Sequence, residues 1–504
     1  MGFSFEVKES DLFGRIGSLK VSGKALETPY LFPVVHPVSQ QVPTEELKAM
    51  GFGGLMTNSY ILHSRRKEEA LRDGIHKLLG FDGVFMTDSG GYQVLEYGNL
   101  DVDYSSIASF QSGIGSDIAV TLDWPTGYPQ TSLLAKETVD YSLKNAKATM
   151  KEFGDSKTVW VGPIQGGLHL DLVQKSARAL VEGGFHFLAL GSPVQVMENY
   201  MFADLVRMIM AARSAVPYSA PLHLFGAGHP LTMALAVALG CDTFDSASYV
   251  MFARTGRYMT RGGVMTLRSM KYLPCSCPAC SKTSVKALLE LDQREMVKLL
   301  SVHNLFTLKA ELDACKEAIV EGRLWDLVEE RSMAHPMLRE AFVELSRFSS
   351  ALSAGTPIIK DKGLFIRSTE DLQRPEVQGT ATRLRHAIRR SSNRAVIMIR
   401  DENRTRVEGK KTSKSPGAYD TYFLHSVFGP YPSELDFVYP FSQTEVGAVE
   451  YSISFAAATK TLKRWGYKTV RAAGASKNEP VKVTSRRNRR GASPSPRSSS
   501  ARPR

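Results

Sequence analysis

Three aspartates in the first half of the chain each follow a short apolar run. Asp88 lies in MTDSGG, Asp123 in AVTLDWP and Asp245 in DTFDSAS. Converging carboxylates suit substitution at a sugar carbon, in which one attacks the anomeric centre and another handles the leaving group's proton. Asp after a strand is also a common helix cap or turn residue, so each alone has an ordinary structural interpretation. Spacing alone does not separate a glycosidase from a base-exchanging enzyme.

Other residues near the apolar runs could form a pocket for a planar ligand. The Gly90-Gly91 pair follows Asp88 and lets the backbone approach a flat molecule closely. Tyr92 could stack on such a ligand, and Gln165 could hydrogen-bond an amide-like edge. The sequence therefore predicts a pocket for a planar polar ligand beside the carboxylates.

A cysteine cluster indicates a metal site. Cys275, Cys277 and Cys280 form C-x-C-x2-C, and His303 follows after 22 intervening residues, at the end of a predicted helix. Three thiolates and one imidazole complete a tetrahedral set, which is the ligand chemistry of one structural zinc ion. The alternative is a group of buried or redox cysteines beside an ordinary surface histidine. The close spacing and the flanking prolines favour zinc.

The elements that would position these residues form a repeating pattern. Over the first 250 residues, near-continuous apolar, β-prone runs alternate with helix-like stretches, which predicts a parallel sheet covered on both faces. Eight such units fit an α/β fold of the (β/α)8 TIM-barrel type better than an open doubly wound sheet, which remains the alternative. The runs end near Val35, Thr57, Thr87, Asp123, Gly162, Gly191, Gly226 and Asp245.

The pattern of residue types changes twice after the barrel region. We predict a zinc-containing barrel domain over residues 1–348, with a zinc subdomain at about 266–307. A small α+β C-terminal domain follows over 349–475, where short strand-like runs alternate with turns. Residues 476–504 are rich in Ser, Pro and Arg and poor in apolar residues, which predicts a disordered basic tail.

Composition excludes several classes of protein. The 504 residues are 43% hydrophobic and 23% charged, which excludes a collagen, a coiled coil and a wholly disordered chain. Apolar runs stay far below the ~20 residues of a membrane span, and we expect a cytoplasmic protein that makes no membrane contact. The net charge of +12 suggests a polyanionic partner, but most of this excess lies in the tail.

The motifs resemble those of the tRNA-guanine transglycosylases, most closely the archaeal type. The resemblance spans about residues 5–345 and weakens beyond them. An FDCV-type run is typical of the bacterial and eukaryotic branches, whereas this chain has FDSASY. The motifs that carry the resemblance are VVHP, TDSGGYQ, DIAVTLDWPT, VGPIQGG, HLFGAGHP, FDSASYVMFARTGRYMT and PCSCPACSK.

The resemblance implies an activity and residue roles. It implies a zinc-containing barrel that replaces guanine in the tRNA D-loop (position 15) by 7-cyano-7-deazaguanine, early in archaeosine synthesis. Asp245 matches the nucleophile that attacks the ribose C1′ and forms a covalent intermediate. Asp88 matches the residue that binds the base and handles protons, although the nucleophile is also assigned to that position. The positions that match the base pocket are Ser89, Tyr92, Asp123 and Gln165.

The chain departs from the family pattern at two places. Gly191 keeps the first of a usual glycine pair, but Ser192 replaces the second, beside the expected site of the incoming base. One small domain follows the barrel, where archaeal members often carry an RNA-binding PUA domain, so we expect that this module is missing or is a separate subunit. The family often forms homodimers, and we expect one here.

The resemblance to a tRNA-modifying family directs attention to residues that could contact tRNA, and other functions are alternatives. Arg254, Arg257 and Arg261 follow the predicted nucleophile strand and are candidates for phosphate contacts, or else ordinary surface charges. The alternative functions are a non-catalytic RNA-binding partner, a relative that modifies the inserted base, and a retaining glycosidase. The retained Asp88 and Asp245 argue against the first two, and a glycosidase leaves Gln165 and the zinc cluster unexplained.

Overall fold

The computed structural model describes residues 2–91, 103–398, 419–447 and 453–473. The chain divides into two compact units. One comprises Met1–Lys362 with Gln373–Glu376, and the other comprises Gly363–Leu372 with Val377–Arg504. The division at residue 348 and the extent of the basic tail stay predictions, and the tail lies outside the described residues.

A three-stranded antiparallel sheet opens the first unit. Its strands are β1 (Phe3–Asp11), β2 (Gly14–Val21) and β3 (Lys24–Thr28). Ser22 and Gly23 join β2 to β3 with φ of 51° and 77°, the conformation of a tight hairpin turn. Leu19, Val21 and Leu26 share one buried cluster with the residues that fill the barrel interior.

Eight parallel strands form the predicted barrel. Their spatial order is β4-β11-β10-β9-β8-β7-β6-β5. The ring closes between β4 and β5, where the Val35 N–H donates to the Met56 carbonyl over 2.8 Å and Val34 bridges to Met56. The barrel prediction is confirmed, and the open sheet is wrong. The strands are β4 (Tyr30–Pro33), β5 (Gly54–Asn58), β6 (Val84–Asp88), β7 (Ile118–Val120), β8 (Val159–Ile164), β9 (Phe187–Leu190), β10 (Leu222–Leu224) and β11 (Thr243–Ser246).

Helices between the strands cover the outside of the barrel. Most of their buried side chains belong to one large apolar cluster with the outward side chains of the strands, and Ala135, Val139 and Leu172 form a smaller one. None of the helices in the described ranges is long and apolar enough to cross a membrane. The helices are α1 (Thr44–Ala49), α2 (Ser59–Leu79), α3 (Tyr104–Gly113), α4 (Ser132–Phe153), α5 (Leu170–Glu182), α6 (Pro193–Glu198), α7 (Phe202–Arg213) and α8 (Pro230–Ala238).

An insertion follows the last barrel strand. A hairpin of β12 (Arg257–Thr260) and β13 (Gly263–Thr266) leads into the cysteine segment, which shares a buried cluster with Leu288 and Val297. The remaining helices of the unit are α9 (Ser248–Arg254), α10 (Val285–Glu290), α11 (Gln293–Val320), α12 (Leu324–Ser332), α13 (Pro336–Ser346) and α14 (Ser349–Leu352).

The second unit has the predicted α+β character. A four-stranded sheet of order β17-β16-β15-β19 packs its apolar face on α16, and β14 pairs with β18. The first two residues of α15 belong to the other unit. The elements are β14 (Leu364–Ile366), α15 (Pro375–Ala387), β15 (Arg394–Met398), β16 (Asp420–His425), β17 (Gly429–Pro432), β18 (Thr444–Val446), α16 (Phe455–Arg464) and β19 (Thr469–Ala473).

Candidate active site

The aspartates identified from the sequence lie at the carboxyl ends of barrel strands. Asp88 is the last residue of β6, Asp245 lies in β11, and Asp123 follows β7 by three residues. Gln165 directly follows β8. Because the strands are parallel, their carboxyl ends meet at one mouth, where barrel enzymes hold their chemistry. Asp123 and Asp245 are close enough for their charges to act on Asp88.

Asp88 is held in a network at the start of α2. The Asn58 amide donates to its Oδ2 over 2.9 Å, while Asn58 Oδ1 caps α2 by accepting from the Ile61 N–H. Burial raises the pKa of Asp88 to about 7, and the charges of Asp123 and Asp245 act in the same direction. Such a carboxyl is part acid and part base near neutral pH. Asn58 is not among the residues predicted from the sequence, although it ends one of the apolar runs.

Asp123 is buried and bonded to Gln165. Gln165 Nε2 donates to Asp123 Oδ2 over 2.6 Å, which lowers the Asp123 pKa, but burial dominates and raises it to about 6. A Cβ at Gly91 would lie 2.1 Å from Asp123 Oδ1, so only glycine fits beside this carboxyl. Gly91 therefore makes room for Asp123 itself.

Gln165 is oriented by the loops around it. Its Oε1 accepts from the Thr126 N–H over 3.0 Å and from the Ser192 hydroxyl over 2.9 Å, which directs Nε2 toward Asp123. A Cβ at Gly191 would lie 2.2 Å from Gln165 Nε2, so this position also requires glycine. The structure thus brings Gly91, Asp123, Gln165, Gly191 and Ser192 together.

Ser192 adopts a conformation that favours glycine. Its φ is 61°, in the left-handed region. Its hydroxyl also accepts from the Gly127 N–H over 3.2 Å, so the extra group of this side chain bonds to protein atoms. Ser89 is buried, and its hydroxyl donates to the Thr121 carbonyl. Tyr92 lies outside the described residues.

Asp245 is held by two donors on one oxygen. The His223 Nε2 lies 3.1 Å from Asp245 Oδ1, and the Gly226 N–H donates to the same oxygen over 2.7 Å. His223 is fully buried within β10, and Gly226 follows that strand. Neither residue is among the site residues predicted from the sequence, although both lie in the motif HLFGAGHP.

The four predicted metal ligands converge. The potential ligand atoms of Cys275, Cys277, Cys280 and His303 all lie within 4.8 Å of one another. His303 Nδ1 lies 3.6 Å from Cys277 Sγ and 3.4 Å from Cys280 Sγ. An ion with bonds of about 2.3 Å to sulfur and about 2.0 Å to nitrogen places such atoms about 3.5 Å apart. The cluster therefore has the dimensions needed to hold a metal ion.

A second contact of His303 also suits the binding of a metal ion. Its Nε2 lies 2.8 Å from the Met259 carbonyl, which fixes a proton on Nε2 and leaves the Nδ1 lone pair for an ion. The Tyr258 ring stacks on the imidazole at 3.6 Å between centroids. Met259 and Tyr258 belong to β12, so the cluster joins the hairpin to α11.

The three arginines identified from the sequence are exposed. Arg254 ends α9, Arg257 begins β12, and Arg261 lies in the hairpin turn. The Arg257 guanidinium lies 4.8 Å from the centroid of the Phe252 ring. Their exposure leaves them accessible to a large anionic ligand.

Comparisons with known proteins agree with this arrangement. The family model described as queuine tRNA-ribosyltransferase matches residues 10–337, which include the barrel and the cysteine cluster. The chain is 38% identical over 452 residues to a protein of Sulfolobus acidocaldarius named tRNA-guanine(15) transglycosylase, with 88% of each chain covered. The chain belongs to the tRNA-guanine transglycosylase family. It is therefore an enzyme of the pentosyltransferase class.

Other relatives carry the same name. The protein of Aeropyrum pernix is 38% identical over 447 residues, covering 88% of this chain and 87% of the relative. The protein of Pyrococcus furiosus is 39% identical over 445 residues, covering 88% of this chain and 70% of the relative. The transglycosylase similarity therefore extends beyond the barrel into the second unit.

Proposed function

We propose that this enzyme replaces the guanine at position 15, in the D-loop of tRNA, by 7-cyano-7-deazaguanine, an early step of archaeosine synthesis. The convergence of Asp88 and Asp245 at the barrel mouth carries the proposal, since base exchange needs a nucleophile and a group that moves a proton. The relatives named tRNA-guanine(15) transglycosylase support the choice of substrate and position.

The proposed reaction has two half-reactions. Asp245 attacks C1′ of the ribose, the C1′–N9 bond breaks, and guanine leaves with a proton from Asp88. This produces an ester between Asp245 and the tRNA. The incoming 7-cyano-7-deazaguanine then gives its N9 proton to Asp88 and attacks C1′, which breaks the ester. The two inversions give net retention, and Asp88 ends in its initial protonation state.

The pocket beside the catalytic pair would bind both bases. Asp123, whose Oδ2 is fixed by Gln165, offers a carboxyl to the base edge. We assign Ser89, Tyr92, Gly191 and Ser192 to the same pocket. Because the Ser192 hydroxyl acts on Gln165, it would influence the choice of base through the position of Asp123.

We propose that the cysteine cluster holds one structural zinc ion. Three sulfurs and one imidazole fill a tetrahedral shell and leave no open position for substrate, so zinc would supply no step of the exchange. The residues of the cluster connect the hairpin to α11.

Docking of tRNA would involve charges outside the mouth. We propose that Arg254, Arg257 and Arg261 contact phosphates, and that the basic tail adds contacts that are independent of sequence. We also propose that the chain forms a homodimer and that a separate protein with a PUA domain can take part in tRNA binding. The tRNA substrate would place the reaction in the cytoplasm.

Base exchange can be tested directly. The full chain is loaded with zinc and mixed with a tRNA transcript that carries labelled guanine at position 15, and label release is followed after 7-cyano-7-deazaguanine is added. Parent protein should release the label and form a covalent adduct with RNA, and Asp245→Ala should do neither. Asp155→Ala, at an exposed carboxyl, is the control.

Two outcomes would contradict the proposal. Release that is unchanged in Asp245→Ala would refute its role as nucleophile. Parent protein that releases no label, even with a PUA-domain protein added, would favour the alternative of a non-catalytic or base-modifying relative.

A further inference from the structure

A buried histidine connects two neighbouring strands directly behind Asp245. His223 of β10 lies in register with Thr243 of β11, two residues before Asp245. Its side chain has no exposed surface. Its Nδ1 lies 3.0 Å from Thr243 Oγ1, and its Nε2 lies 3.1 Å from Asp245 Oδ1. A polar ring among apolar barrel side chains is costly unless its nitrogens are hydrogen-bonded, and both are.

The two contacts of His223 specify one tautomer. An ionised Asp245 can only accept, so the proton of the neutral ring must lie on Nε2. Nδ1 is then an acceptor, and the Thr243 hydroxyl donates to it. Two aromatic rings restrain the imidazole: Phe225 at 4.9 Å edge to face, and Phe32 at 6.4 Å, between centroids. The chain Thr243–His223–Asp245 therefore has a single direction of donation.

The histidine leaves the two oxygens of Asp245 in different environments. Oδ1 accepts from His223 and from the Gly226 N–H, which together fix the rotation of the carboxylate. Within the described part of the chain, Oδ2 has no hydrogen-bond partner. One oxygen thus anchors the group, and the other keeps its lone pairs for an electrophile.

We propose that His223 is a positioning residue for the nucleophile. Its Nε2–H holds Asp245 Oδ1 so that Oδ2 faces C1′ of the bound ribose, and Thr243 keeps the ring in the required tautomer. This inference rests on the proposed function, in which Asp245 attacks C1′. It predicts a defect in formation of the covalent adduct and leaves substrate binding unaffected, because His223 lies behind the carboxylate.

Two amide substitutions separate this role from simple packing. Gln at position 223 can place an N–H near the position of Nε2, whereas Asn reaches only the position of Nδ1. We expect His223→Gln to form the adduct within about tenfold of the parent rate. We expect His223→Asn to be about 10- to 100-fold slower, as when a supporting group of a reactive residue is lost, with unchanged KM for tRNA and base.

A second variant tests the tautomer while leaving the histidine in place. Thr243→Val removes the donor to Nδ1 and keeps the shape of the side chain. We expect a several-fold slower adduct formation, again without a change in KM. Thermal unfolding shows whether each variant folds. If His223→Asn does not fold, Thr243→Val still tests the positioning role.

The outcomes are distinguishable from failure of the proposed function. If parent protein forms no adduct, the base exchange itself fails. If the parent is active and the Asn and Gln variants are slowed equally, or neither is slowed, positioning by Nε2–H is refuted. A rise in KM with an unchanged single-turnover rate would also refute it.

Discussion

Replacement of Asp88 by Asn should change how stability depends on pH. Burial raises the pKa of this carboxyl from 3.8 to about 7, with further contributions from the charges of Asp123 and Asp245. The N–H groups of Ser89 and Gly90 lower its pKa but do not compensate. The folded protein therefore binds this proton more tightly than the unfolded chain does.

The pKa difference sets the size of the effect. A raised pKa in the folded state means that stability falls as pH rises from 3.8 to about 7, by about 1.4 kcal/mol per pH unit. From pH 5 to pH 8 the loss is at most about 2.7 kcal/mol, because the carboxyl is ionised above its folded pKa. Asn cannot ionise, so Asp88→Asn should not show this loss.

Thermal unfolding at the two pH values measures the difference. With an unfolding entropy of about 2 cal/mol/K per residue, the first unit changes its Tm by about 4 °C for 2.7 kcal/mol. The decrease in Tm between pH 5 and pH 8 should be smaller in Asp88→Asn by up to that amount. Losses of stability that do not depend on pH, such as the lost hydrogen bond to Asn58, cancel when the change in Tm between the two pH values is compared. The exposed Asp155→Asn controls for the removed charge, and equal pH dependence in Asp88→Asn and parent would refute the raised pKa.

Three further predictions concern the pocket, the metal and the tail. Gly91→Ala should reduce base exchange about 100-fold, because the added carbon would displace Asp123. Gly262→Ala is the control and should keep its activity, because the atom nearest to its added carbon lies 4.0 Å away. Equal activities of the two variants would contradict the close packing of Gly91 on Asp123. Cys280→Ser should lose the bound zinc measured by mass spectrometry and lower the Tm, and full retention of metal would contradict the ligand set. Deletion of residues 480–504 should flatten the dependence of tRNA affinity on salt, and an unchanged affinity across a salt series would exclude a role for the tail.

The barrel was predictable because its strands are buried on both faces. Each of the eight apolar runs identified from the sequence corresponds to one barrel strand. The ends of elements are harder to predict from the sequence: the apolar run ends near Asp123, whereas β7 ends three residues earlier, at Val120. The carboxylates were still placed at the correct end of the barrel, because each run fixes the chain direction and parallel strands share one mouth.

Contacts between strands were not predictable from the sequence. His223 lies in an apolar run, LHLFG, where a histidine has no periodic signal of its own. Its link to Asp245 depends on the register of β10 against β11, which pairs residues 20 positions apart. The Gln165–Asp123 bond likewise depends on how the loops after β7 and β8 turn toward each other.

Asp88, Asp123 and Asp245 have different surroundings, which suit different roles in the proposed base exchange. Two donors fix one oxygen of Asp245, whereas burial raises the pKa of Asp88 to about 7 and that of Asp123 to about 6. A group that gives a proton to one base and takes a proton from the next must be returned to its starting state within each cycle. Proton transfer in both directions is fastest when the pKa lies near the working pH, which the environment of Asp88 provides. The raised pKa values of Asp88 and Asp123 also reduce the negative charge at the mouth, where the phosphates of tRNA must approach.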